Sequence, residues 1–189
     1  MLRSLLAAAL VVVPAPAVPQ TEPAPSVPKV LCRHEHGYSA GTAFRIGPHL
    51  LVSVNHVTSA SRCEIDGEPI HVIYASPKAD FSILSDARSG KWLKVDCSGF
   101  VAGHRYVAVG HARAMDELTL VPMVATGSTF GSLSLLAGIF TAQPGQSGGP
   151  IMDAETGRVV GTVNTAEWSR GLTGSVELKG TSICGGSAA

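Results

Sequence analysis

The chain of 189 residues suits one domain, or two small subdomains sharing an interface. Its 14 basic residues balance its 14 acidic ones without a basic stripe, which argues against a nucleic-acid partner because phosphate binding draws on clustered Lys and Arg. A hydrophobic share of 45% with 21 glycines excludes both a disordered chain and a helix-dominated one.

At the N-terminus, Arg3 precedes the apolar run Leu5 to Val13, and Ala15-Pro16-Ala17 supplies small residues at A-x-A spacing. This is the layout of a secretory signal over residues 1–17, with a proline that leaves the cut site open and a retained N-terminal anchor as the alternative. The run is short of the roughly 20 residues a membrane span needs, and no later stretch is apolar enough, so no span is expected after signal removal. Prolines at 14, 16, 19, 23, 25 and 28 impose extended backbone, making residues 18–29 a linker. Cys32, Cys63, Cys97 and Cys184 suit an exported protein, periplasmic or extracellular, with up to two disulfides. The three full pairings stay open. Cys32, His34 and His36 raise the thought of a metal, but such a site needs a fourth, distant ligand. Neither metal nor cofactor is expected.

From about Val30 onward, short apolar or alternating segments follow one another. Strands are predicted at Gly41–Ile46, Leu50–Val54, Ile70–Tyr74, Phe81–Leu84, Trp92–Val95, Tyr106–Val109, Thr119–Ala125, Leu133–Phe140 and Val159–Thr165. Gly47-Pro48, Asp66-Gly67, Ser89-Gly90, Ser98-Gly99 and Thr156-Gly157 supply turns between them. Only Val57 to Arg62 hints at a helical turn, so the fold class is all-β, a sandwich or a pair of barrels.

The stretch Gln143-Pro144-Gly145-Gln146-Ser147-Gly148-Gly149-Pro150 sets one serine among three glycines and two prolines. Such a turn exposes a hydroxyl together with neighbouring N–H groups, as an acyl-transfer nucleophile and its oxyanion hole require. The bland reading is a hairpin loop whose serine is a turn residue. A serine hydroxyl needs a base, and all seven histidines precede Ser147. Gly145-Gln146-Ser147-Gly148-Gly149 also fits G-x-S-x-G, but the α/β-hydrolase triad runs Ser, acid, His, and that order is unavailable here. His56 follows the apolar strand Leu50–Val54, a rigid position for a general base, and Asp80 opens Asp80-Phe81-Ser82-Ile83-Leu84 at the mouth of another strand. Asp66 and Asp86 are the substitutes for Asp80, but neither opens an apolar strand. The other six histidines are expected to be surface or structural.

Gly41-Thr42-Ala43-Phe44, Asn55-His56-Val57, Asp80-Phe81-Ser82-Ile83-Leu84 and Gly145-Gln146-Ser147-Gly148-Gly149-Pro150, in that order, resemble the signatures of chymotrypsin-fold serine proteases, most closely the HtrA-type bacterial trypsin-like peptidases. Val107-Ala108-Val109-Gly110 and Val160 to Ala166 extend the likeness over residues 40 to 166. The resemblance implies two antiparallel six-stranded β-barrels with the active site in the cleft between them. A protease domain would span 30–184, with barrel 1 at about 30–97, barrel 2 at about 98–184 and a flexible tail at 185–189. It also implies Ser147 as nucleophile, His56 as general base, Asp80 as its orienting acid, and the N–H groups of Gly145 and Ser147 as the oxyanion hole. Thr141 would lie at the base of the S1 pocket, with Asn164, Thr165 and Ala166 along its wall and the substrate-pairing strand.

There are departures. Gln146 stands where trypsin-like zymogens carry an aspartate, so activation through a new α-amino group is not expected. No cysteine directly follows His56, so Cys63 pairs elsewhere or stays free. No PDZ-like extension is found. The uncharged Thr141 argues for a small or medium apolar P1 residue and against Arg or Lys. The expected function is an exported serine endopeptidase acting on polypeptide. The alternatives are a catalytically silent binding module of the same fold and a processing protease restricted to one partner.

Overall fold

The computed structural model describes residues 25–60, 62–129, 132–138, 143–168 and 175–184. The first half supplies β1 (Lys29–His34), β2 (Gly37–Thr42), β3 (Phe44–Arg45), β4 (Leu50–Ser53), helix α1 (Asn55–Thr58), β5 (Arg62–Ile65), β6 (Glu68–Ser76) and β7 (Phe81–Ser85). The second supplies β8 (Arg105–Gly110), a 3-10 turn at Ala112–Ala114, β9 (Thr119–Thr129), β10 (Ser132–Gly138), β11 (Pro150–Asp153), β12 (Val159–Trp168) and β13 (Ser175–Ser182).

All strand pairs are antiparallel. The second half forms a closed barrel ordered β10-β13-β12-β11-β8-β9, six strands as expected. The first half forms a seven-stranded sheet, β2-β1-β5-β6-β7-β4-β3, one strand more than expected. The extra strand has a local cause. Residues 37–45 are a single extended run with a break at Ala43, where the bonds to the first segment go on in register, Ala43 N–H to Pro28 O at 3.0 Å and Arg45 N–H to Ser26 O at 2.8 Å, but Pro28 has no N–H to return. Its two pieces, β2 and β3, stand at opposite ends of the sheet order, so one residue of chain joins the sheet's first strand to its last. The sheet thus curls back on itself around Val30, Cys32, Leu51, Val54, Ile65, Ile70 and Leu84.

The barrel of the second half closes on Tyr106, Ala108, Val121, Met123, Ile151, Val160 and Val163. A third cluster lies between the two halves: Phe44 and Val52 from the first meet Val109 and Val159 from the second. That apolar seam fixes how the two sheets stand to one another, since non-directional burial of these side chains is lost if they part. The connecting segment laces the seam with hydrogen bonds from Leu93 N–H to Arg45 O, Val159 N–H to Lys94 O and Asp96 N–H to Val159 O.

The predicted strand at Trp92–Val95 is this connector. It makes only an isolated bridge from Val95 to Val159, because its hydrogen bonds go to both halves in turn. Of the predicted strand Leu133–Phe140, the part beyond Gly138 lies outside the described residues. Strands β1, β5, β11 and β13 were not predicted.

Cys32 and Cys63 are directly opposite one another on β1 and β5 and form a disulfide. Cys97, in the connector, pairs with Cys184, beyond the end of β13. Two such bonds point to an oxidising, extracytoplasmic compartment. Cys32, being oxidised, has no thiolate to offer a metal. Among the described residues no helix is long and apolar enough to cross a membrane.

One ion pair lies deep inside the first half: Arg45 and Asp86 are 0% and 1% exposed. Arg45 also donates to the carbonyls of Pro25, Pro48 and Arg88, so its fork of N–H groups is well used.

Candidate active site

Helix α1 is a single turn set where β4 runs out of the sheet. Val54, Val57 and Thr58 are buried and anchor the turn, which leaves His56 on the open side. Thr58 Oγ1 holds the turn further by donating to Val54 O at 3.1 Å and accepting from Ser82 Oγ at 2.9 Å. The imidazole is therefore presented on a rigid element at a strand end, as the sequence suggested.

Asp80 occupies the residue before β7, in a left-handed backbone conformation with φ of 48°. Its carboxylate accepts two bonds from one residue: Oδ1 takes the His56 backbone N–H at 2.9 Å and Oδ2 meets His56 Nδ1 at 2.8 Å. A bond at Nδ1 with a carboxylate fixes the tautomer that carries its proton on Nδ1, leaving Nε2 as the basic nitrogen. Asn164, buried on β12, adds its Nδ2, donating to Asp80 Oδ2 at 3.1 Å and to the Asp80 carbonyl at 2.9 Å. Partial burial pushes the Asp80 carboxyl up. The bonds from the His56 backbone, the His56 ring and Asn164 outweigh it and hold the group below the ordinary carboxylate range.

The loop 143–149 is fastened from several sides. Thr42 of β2 donates its N–H to Ser147 O and its Oγ1 to Gly145 O, both at 2.8 Å. From β12, Val163 O accepts the Gly148 N–H at 2.7 Å, and the Val163 N–H donates to Gly149 O at 2.9 Å. Gly148 has φ of +86°, and a Cβ there would sit 2.2 Å from Thr42 O and 2.3 Å from Ser53 Oγ. Only glycine allows that approach. Gly41 is a second close-packed point, where an added Cβ would lie 2.7 Å from the Val57 side chain and 2.9 Å from Ser147 O. The residue following His56 and the backbone of Ser147 thus press against the same spot on β2.

Asp80 and His56 come from the first half, Ser147 and Asn164 from the second. Asn164 joins the first pair and is adjacent in sequence to Val163, which holds the Ser147 loop. The Ser147 side chain makes no hydrogen bond to a described residue, the His56 ring included. Among the described residues, neither the Gly145 nor the Ser147 N–H has a backbone acceptor. Gln146 is buried, with its Oε1 taking the Gln143 N–H at 2.8 Å.

Asn164, expected along the pocket wall and the substrate-pairing strand, gives its side-chain amide to Asp80. Thr165 and Ala166 lie on β12 opposite Lys179 and Leu178. Thr141 lies outside the described residues. The substitutes for Asp80 are engaged elsewhere, Asp66 with Arg88 and Asp86 with Arg45 and Arg88. Thr42, which links β2 to two carbonyls of the serine loop, was not singled out from sequence, although it stands inside the quoted Gly41-Thr42-Ala43-Phe44.

The architecture of two antiparallel barrel-like sheets is the fold of the chymotrypsin-type serine proteases. Among solved structures, the chain is similar to the active form of the Rv3671c protease from M. tuberculosis (19% identity, TM-score 0.68, 95% of this chain and 91% of that one). It is also similar to the HtrA-type protease AlgW with a tripeptide (22% identity, TM-score 0.69, 85% of this chain and 57% of that one). A third is a serine endoprotease from Yersinia pestis (15% identity, TM-score 0.66, 85% and 62%). The chain thus spans little more than half the length of the AlgW chain. No protein-family model and no curated protein matches it by sequence.

Proposed function

We propose that the protein is an exported serine endopeptidase that hydrolyses polypeptide through an acyl-enzyme. In this reading Ser147 Oγ attacks the scissile carbonyl while His56 Nε2 takes its proton. His56 then returns that proton to the leaving amine, and water repeats the cycle on the ester. Asp80 holds the imidazole in register and stabilises the imidazolium. The N–H groups of Gly145 and Ser147 receive the developing oxyanion.

The observation that carries this is the two-point grip of Asp80 on His56, with Asn164 as a third hand. A carboxylate committed to both the backbone and the Nδ1 of one histidine leaves Nε2 as a base aimed outward, an arrangement a purely structural histidine does not need. The free N–H groups of the serine loop support the oxyanion role. The bond between Ser147 and His56 is unmade, and catalytic contacts of this kind are commonly long until substrate tightens them.

The substrate backbone is read as pairing with residues 164–166 of β12 as an added antiparallel strand. The uncharged Thr141 favours a small or medium apolar P1 residue such as Ala, Val or Leu. Residues 1–17 are read as the export signal and 18–29 as a spacer ahead of the protease domain. Purified mature protein should be labelled by a fluorophosphonate, with labelling lost in Ser147→Ala. Folded protein that takes no label would instead favour the silent binding module. A peptide library cut mainly after Arg, Lys or Glu would reject the apolar P1.

A further inference from the structure

Residues 143–146 form a β-turn that carries the Gly145 N–H. Gln146 N–H donates to Gln143 O at 3.3 Å, the bond that closes such a turn, with Pro144 and Gly145 as its central residues. Gly145 has φ of +96°, which makes the turn type II. Types I and II differ by turning over the central peptide, and the Gly145 N–H belongs to that peptide. Proline at the first central position suits both types, and glycine at the second takes either sign of φ. The two central residues therefore leave open which way this N–H points.

Two bonds decide it. From outside, the Arg113 N–H donates to Pro144 O at 2.6 Å. The oxygen and the N–H of a trans peptide lie on opposite sides, so anchoring Pro144 O to the 3-10 turn sends the Gly145 N–H the other way. That 3-10 turn is itself fastened. Arg113 and Ala114 are left-handed, with φ of 53° and 58°, while Lys29 Nζ donates to Ala114 O at 3.3 Å and His111 Nδ1 meets Met115 O at 2.9 Å. From inside, Gln146 Oε1 accepts the Gln143 N–H at 2.8 Å, so residues 143 and 146 exchange one bond in each direction across the turn.

The other end of the Gln146 amide shows that folding alone does not call for this side chain. Gln146 is buried, and among the described residues its Nε2 has no hydrogen-bond partner. A buried donor left unpaired destabilises the fold, and an apolar side chain of the same length would avoid that.

We propose that Gln146 is a positioning residue. Its side-chain oxygen, together with the Arg113 main-chain N–H, holds the 144–145 peptide so that the Gly145 N–H faces a developing oxyanion, and residue 146 needs no charged partner to do so. The oxyanion role rests on the endopeptidase reading, whereas the locking of the turn does not.

The test compares wild-type protein with Gln146→Met, which keeps the length and loses the acceptor, and Gln146→Glu, which keeps the acceptor. With a chromogenic peptide, Gln146→Met should lose about 10- to 100-fold in kcat at a KM within about twofold of wild type. Its affinity for a peptide aldehyde, whose hemiacetal with Ser147 bears the oxyanion, should fall by about the same factor. Its urea midpoint should stay at or above that of wild type. Gln146→Glu should recover kcat to within about threefold of wild type. In protein carrying nitrogen-15 glycine, the Gly145 amide resonance should move in Gln146→Met and stay close to wild type in Gln146→Glu, a reading that requires no turnover. Wild-type kcat in Gln146→Met, a loss carried by KM alone, or an unmoved Gly145 resonance overturns the proposal. So does a loss of kcat that comes with a lowered urea midpoint and is not recovered by Gln146→Glu. Wild-type protein that neither turns over nor takes a fluorophosphonate, with the resonance moving as expected, sinks the endopeptidase reading and leaves the locked turn standing.

Discussion

Asp80 Oδ2 lies 2.8 Å from His56 Nδ1 while its other oxygen takes the His56 main-chain N–H at 2.9 Å, so one carboxylate fixes both the position and the tautomer of one imidazole. Replacing Asp80 with Asn keeps the shape but offers an N–H to a nitrogen that already carries a proton. The ring then turns or changes tautomer, and Nε2 is no longer the base. The expected loss is about 10⁴-fold in kcat, read with a chromogenic peptide. A variant that keeps wild-type turnover would remove His56 and Asp80 from the chemistry.

Asn164 acts on the same carboxylate from the opposite half of the molecule. A hydrogen bond to a charged group contributes about 1.5–3 kcal/mol, and only part of it reaches the transition state. Asn164→Ala is therefore expected to lower kcat about tenfold with little change in KM. A raised KM with kcat intact would show that Asn164 serves substrate binding rather than the carboxylate.

How much was legible beforehand varies with the range of the interaction. Leu50–Ser53 and Phe81–Ser85 were read almost to the residue, because buried side chains there concentrate apolar character. The strand Ser175–Ser182 was missed, since Glu177, Lys179 and Gly180 carry no strand signal of their own and pairing with β10 and β12 supplies it. Arg62–Ile65 is short and half polar and gives no strand signal, and its first residue falls at the end of the helical hint from Val57 to Arg62. The order His56, Asp80, Ser147 gave the candidate site. The reach of Asn164 to Asp80, 84 residues away, has no local trace. Neither has the left-handed backbone of Asp80.

Asp86 is expected to dominate acid sensitivity. Burial pushes its carboxyl up, but bonds from Arg88 and Arg45 outweigh this and hold it below the ordinary range. Asp80 is lowered likewise. A depressed carboxyl stabilises the fold fully above its unfolded value, near 4, and the contribution fades as pH falls through the lower folded value. Urea midpoints should be flat from pH 7 to about 5 and then drop toward pH 3. Asp86→Ala should cost about 3–5 kcal/mol by leaving Arg45 buried without its counter-charge. A midpoint within error of wild type would contradict this.

The two disulfides should differ in weight. Cys32–Cys63 closes a separation of 31 residues and Cys97–Cys184 one of 87. By loop entropy alone these are worth about 3.5 and 4.5 kcal/mol. Cys97→Ser with Cys184→Ser should thus lower the urea-derived stability more than Cys32→Ser with Cys63→Ser. The reverse order would show that the gain comes from the folded side of the equilibrium.

The longer of these bonds also encircles every strand from Arg105 to Ser182 in one covalent ring. A single nick anywhere in that ring by a protease opens the circle without freeing a fragment. Damaged molecules would migrate as intact on a non-reducing gel and split only once a reductant is added, so the protein can outlast a cut that would dismantle a linear barrel.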